Sequence, residues 1–180
     1  MFNKKPPAAP SSPPPARSQG WAMQVVTVDY IVNGYLSPCE MPLIGYLNMP
    51  GQAAVTLSGV KFSPLGTQTV ITDTAPEVTL PKAAIIAIIL RDSAGASSAA
   101  MHLPPKTCRA AIYAGQYVVR ADFRLAGDGS LGSQFNTIGG NMFAVTDAEV
   151  HCQIPGANFL GMKSAVVIMN KLHVQLYHPM

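Results

Sequence analysis

Two kinds of side chain able to do chemistry recur at nearly one spacing: Asn48 and Asn136 stand 88 residues apart, Lys82 and Lys171 stand 89 apart. A carboxamide in a turn offers donors and an acceptor to a base edge or a peptide backbone, although Asn also favours turns because it tolerates left-handed backbone. A lysine at a strand end can line a pore or meet an acidic partner, although it also keeps a sheet edge soluble. These four are the candidate ligand-binding residues. Catalytic candidates do not assemble in the same way. The four histidines, the nine carboxylates and the serines form no nucleophile elbow, no HExxH and no paired-carboxylate spacing. Gly132, Gly139 and Gly140 lie around a turn and lack the Lys-Ser/Thr pair and helix of a phosphate loop. His173 and His178 sit on the terminal strand as edge or core residues. The expectation is a protein that is not an enzyme and takes no cofactor.

Cysteine usage points the same way. Cys39, Cys108 and Cys152 form no CxxC pair, and an odd count does not suggest a disulfide framework. Reduced, partly buried thiols in a cytoplasmic protein are expected. Zinc would want two or more soft ligands at metal spacing. His151 and Cys152 are adjacent, and neighbours in a strand point to opposite faces, so no metal site is expected.

The elements that must position these residues come in two copies. Shifting the chain on itself by 87 residues places 30–32 (Tyr-Ile-Val) on 117–119 (Tyr-Val-Val). At 88, Leu43 falls on Leu131, Leu47-Asn48 on Phe135-Asn136, and 55–58 on 143–146. At 89, Leu80-Pro81-Lys82 falls on Met169-Asn170-Lys171. The reading is a tandem duplication, with a first unit over 21–91, a linker over 92–108 and a second unit over 109–180. Each unit is a run of short β-branched segments punctuated by Gly, Pro, Asn or Asp, which predicts strands at 24–30, 31–37, 53–62, 76–80 and 83–90, then 109–114, 116–124, 141–150, 164–169 and 171–177. The run 83–90 is apolar throughout, so it should be buried on both faces, by the other unit or by another subunit. Residues 1–20 hold six prolines and no apolar period, which predicts an extended proline-rich arm. Five short strands per unit can hide their edges by curling into a small barrel. The fold expected is therefore all-β: two tandem five-stranded small barrels behind the arm.

At this point the punctuation resembles an Sm-like small barrel, of the wider SH3 type. Residues 30–36 look like the family's first strand pair, Leu47-Asn48 and Phe135-Asn136 like its Asn turn, and 166–174 like its second motif. The chain also resembles an uncharacterised class of small bacterial domains with a Gly-containing strand pair followed by a Leu-Asn turn. The resemblance implies a barrel that assembles by strand pairing, and a nucleotide pocket that reads a base with an Asn. Here the family's upstream Asp is replaced by Leu43-Ile44, and its Arg-Gly pair by Lys82-Ala83 and Lys171-Leu172.

Charge and composition weigh the functional classes. Only 12% of residues are charged, and the whole formal +3 resides in Lys4, Lys5 and Arg17, so the rest is neutral. Nucleic-acid binding normally shows as a clustered excess of Lys and Arg. The longest apolar run has eight residues, against about 20 for a membrane helix, and the N-terminus has no signal-peptide core, so no membrane span is expected. The leading expectation is a structural or scaffolding protein that self-associates or joins other protein subunits. An RNA-binding protein of the same fold is the alternative. A third reading is a small-ligand or peptide binder using the loops 42–54 and 128–141.

Overall fold

The structure, a computed structural model, describes residues 20–37, 41–65, 73–91, 103–155 and 161–180. The expected arm apart from Gly20, most of the linker and Cys39 lie outside the described residues. The described chain is all-β. Its first half comprises β1 (Trp21–Thr27), β2 (Tyr30–Leu36), α1 (Leu43–Leu47), β3 (Ala54–Pro64), β4 (Asp73–Pro81), a 3-10 turn at Lys82–Ala84 and β5 (Ile85–Leu90). The second half has the same order: β6 (Lys106–Ala114), β7 (Tyr117–Leu125), α2 (Leu131–Thr137), β8 (Met142–Cys152), β9 (Met162–Asn170), a 3-10 turn at Lys171–His173 and β10 (Val174–Pro179).

Local chemistry sets these boundaries. Thr27 Oγ1 accepts the Tyr30 amide at 2.9 Å and closes the β1–β2 turn, and Gly115 takes a φ of 58° in the tight turn between β6 and β7. β6 starts at Lys106, inside the stretch expected to be linker. Ala83 and Ala84, expected in a strand, lie in the 3-10 turn after Pro81, and the strand begins at Ile85. Neither α1 nor α2 follows from the strand-like pattern. Each is too short to persist alone and is held by an apolar pair one turn apart, Leu43 with Leu47 and Leu131 with Phe135, all buried.

The two expected five-stranded barrels do not close. All ten strands join one antiparallel sheet in the order β10-β6-β7-β8-β9-β5-β1-β2-β3-β4. The reason lies in β5, whose free edge is taken by β9 of the other half and not by β4 of its own: Ala87 pairs with Met169, Ile88 with Ile168 and Ile89 with Val167. Among the described residues, unpaired edges are left at β4 and β10.

Two cores form on opposite faces of the central strands. Ile86, Ala87 and Ile89 of β5 enter a cluster with Ile112, Tyr117, Val119, Val145, Val167 and Met169. Ile85, Ile88 and Leu90 enter a second with Val25, Val32, Leu57, Val166 and Ile168. All six residues of β5 are buried, so the double-faced burial expected for 83–90 holds over 85–90, with both halves of the chain supplying it, whereas Ala83 is exposed.

Candidate functional site

The four candidate residues fall at two corresponding places. Asn48 ends α1 and Lys82 opens the 3-10 turn after β4; both line a pocket of about 360 Å³ between the halves. Pro50, Gln52 and Ala53 come from the first half, and Gly140, Asn141, Met142, Asn170 and Leu172 from the second. The two loops expected to hold a ligand thus meet in one cavity. At the corresponding point of the second half Lys171 Nζ sits 5.3 Å from the Phe135 ring centroid, and Asn136, next to Phe135 in the chain, is exposed.

The polar groups of the pocket are mostly committed to structure. Asn48 Nδ2 donates to the Met142 carbonyl at 2.7 Å, and its Oδ1 accepts the Met142 amide at 2.8 Å. A side chain thereby replaces a neighbouring strand at the start of β8. Gly140, at φ 86°, allows this approach, because a β-carbon there would overlap the Asn48 carboxamide.

Asn170, absent from the sequence-based candidates, is the most buried polar residue of the pocket, 1% exposed. Its Nδ2 donates to the carbonyls of Lys82 at 3.1 Å and Ile85 at 2.9 Å, and its Oδ1 accepts the Leu172 amide at 3.0 Å. His173 Nε2 donates to the Ala83 carbonyl at 2.7 Å. The signal that could have found Asn170 is its place opposite Pro81 in the repeat, where a polar residue replaces one with no donor.

The exceptions are Lys82 Nζ and Gln52 Oε1, both shielded from solvent with no hydrogen-bond partner among the described residues, and burial pulls the Lys82 pKa below the ordinary lysine value.

A second polar surface lies on β6 to β9. Arg109 pairs with Asp122 at 3.3 Å and donates to the Asp147 carbonyl at 2.7 Å, and Lys163 pairs with Glu149 at 2.9 Å. The hydrogen bond and charge of Lys163 hold the Glu149 carboxyl below its usual range. Every charge here is either in water or paired, as in a solvated face. Among the described residues no group of three His, Cys, Asp or Glu is placed to hold a metal ion, and Cys108 and Cys152 are half-buried free thiols. No described helix is long and apolar enough to cross a membrane.

An apolar pocket of about 400 Å³ lies beside the free β4 edge, lined by Val28, Tyr30, Val32, Phe62, Val78 and Leu80 among others. Tyr30 meets Phe62 edge to face, with ring centroids 6.3 Å apart. Val28 and Tyr30 here, and Leu176 and Met180 at β10, are large apolar side chains left in water. No protein family, no curated protein and no solved structure matches this chain.

Proposed function

We propose that this chain is a non-enzymatic structural protein that self-associates, or joins other protein subunits, through its sheet edges in the cytoplasm. The observation carrying the reading is that, among the described residues, the sheet ends in two unpaired strands, with four large apolar side chains in water beside them, Val28, Tyr30, Leu176 and Met180. Unpaired edges are templates for further pairing, and apolar surface next to them supplies the driving force that backbone hydrogen bonds alone lack. The neutral folded part, with nine bases and nine acids after residue 20, sets up little repulsion between copies. On this reading the two similar halves arose by duplication, and the proline-rich arm reaches a neighbour. Light scattering on the full chain, and on the chain lacking residues 1–20, at low and high salt tests it. An oligomer that survives salt is expected; a monomer of 19.0 kDa that captures no protein contradicts it.

The second reading, RNA binding, is favoured by one observation, the meeting of Asn48 with the unpartnered Lys82 Nζ in a single pocket. It requires the Asn48 carboxamide to serve a base as well as Met142. Affinity that falls steeply with salt, and is lost on removing residues 1–20, would support it.

A further inference from the structure

We propose that copies of this chain join head to tail, the β10 edge of one seated on the β4 edge and apolar pocket of the next, repeating the junction that already links the two halves. The proposal rests on the self-association reading and adds its polarity, its register and its strength.

The inner junction is the template. It pairs 87–89 of β5 with 167–169 of β9. In β10 the residues corresponding to 87–89 are 176–178: Ala87 lies opposite Val26 of β1, and Leu176 opposite Tyr113 of β6, each beside a register shift. In β4 the residues corresponding to 167–169 are 78–80. Val78 and Leu80 face Leu57 and Val55, as Val167 and Met169 face Val145 and Phe143. A repeated junction therefore pairs Leu176 with Leu80, Tyr177 with Thr79 and His178 with Val78. This window is bounded by Pro76 and Pro81. Neither proline can donate to a ladder, so the edge is closed to pairing outside the window and open within it.

The apolar pocket shows what is missing. Its Tyr30, Val32, Val78 and Leu80 correspond to Tyr117, Val119, Val167 and Met169, which are buried in one cluster with Val26, Ile31 and Ala87 of the other half. Tyr30 is 45% exposed and Tyr117 is 1% exposed. The difference is the covering half. In a second copy the residues corresponding to Val26, Ile31 and Ala87 are Tyr113, Val118 and Leu176, and Leu176 is 57% exposed where Ala87 is 1%. Each junction uses two different surfaces and leaves the same two free, so the contact is heterologous and repeats into a ring or an open array.

The outer junction is weaker than the inner one. Inside the chain the halves are also fastened by Asn48 on Met142, Asn170 on two carbonyls, His173 on the Ala83 carbonyl at 2.7 Å, Gln116 on the Val28 carbonyl at 2.7 Å and Ser164 on the Leu90 carbonyl at 3.2 Å. Asn136 keeps the role of Asn48, with the main chain of the next copy's Ala54, which opens β3 as Met142 opens β8. Pro81, Asp29, Ala75 and Ala84 stand at the places of Asn170, Gln116, Ser164 and His173 and cannot donate a matching side-chain bond. One fastening of five remains, so assembly follows concentration.

Two full-length variants test the polarity by sedimentation, with strand content checked by circular dichroism. Val28→Asp blocks the pocket side, and Leu176→Asp blocks the β10 side. Wild type is expected to gain mass with concentration, each variant alone to remain at 19.0 kDa, and an equimolar mixture to form a 1:1 dimer and nothing larger. If either variant misfolds, Val28→Lys and Leu176→Lys repeat the comparison. A variant that still dimerises with itself, or a mixture that stays monomeric, overturns head-to-tail pairing while leaving self-association standing. A wild type that stays monomeric overturns both.

Discussion

Asn48 holds Met142 across 94 residues of chain by both main-chain groups, its carboxamide donating at 2.7 Å and accepting at 2.8 Å. A residue type read as a ligand reader is thus a fastening between halves. Asn48→Ala removes two hydrogen bonds from a partly buried peptide unit and should cost about 2 kcal/mol. Asn136→Ala, with its side chain in water, should stay within about 0.5 kcal/mol. Urea unfolding at low protein concentration checks the contrast.

Gly140 and Gly51 both take positive φ, 86° and 81°, but only Gly140 lies against Asn48. Alanine at Gly51 should cost about 1 kcal/mol, the backbone penalty alone. Alanine at Gly140 also displaces the carboxamide and should cost about 2 kcal/mol more. Equal losses at both positions, in the same unfolding experiment, would contradict the placement of Asn48.

A third contrast lies at corresponding bulges. Gly59 has φ 57° and Asp147 has φ 51°, the one positive φ among described residues that are not glycine. Asp147→Gly relieves left-handed backbone in β8 and should stabilise by about 0.5 to 1 kcal/mol, whereas Gly59→Ala should destabilise by about 1 kcal/mol. Opposite shifts in thermal midpoint are the expected result.

Burial lowers the Lys82 pKa, so the unfolded chain binds this proton more tightly than the folded one. That deficit is complete at pH values below the folded pKa and vanishes as pH rises toward the ordinary value of 10.5. Lys82→Met should therefore raise the unfolding midpoint at pH 7, with the gain shrinking as pH approaches 10. A loss of stability at pH 7 would mean that the ammonium has a partner.

The strands were legible because Gly, Pro and Asn punctuate β-branched runs, and the burial of β5 on both faces was legible because 83–90 contains no polar residue. Barrel closure was not. Periodicity says which face of β5 is buried, but not whether β4 or β9 takes its edge, since both offer apolar residues at matching positions. The helices were hidden because α1 and α2 are stabilised by packing of one apolar pair each and carry Gly45 and Gly132 inside them. Of the site, Asn48 and Lys82 were legible as recurring residues. Asn170 was not, because its partners lie 85 and 88 residues away and no local pattern marks a contact of that range.

Amide hydrogen exchange of the full chain at several concentrations reads both sheet edges at once. Repetition of the inner junction predicts that protection rises with concentration at 78–80 and 176–178, while 73–76 is unchanged. Protection that is independent of concentration at both edges, or that rises at one edge alone, would contradict it.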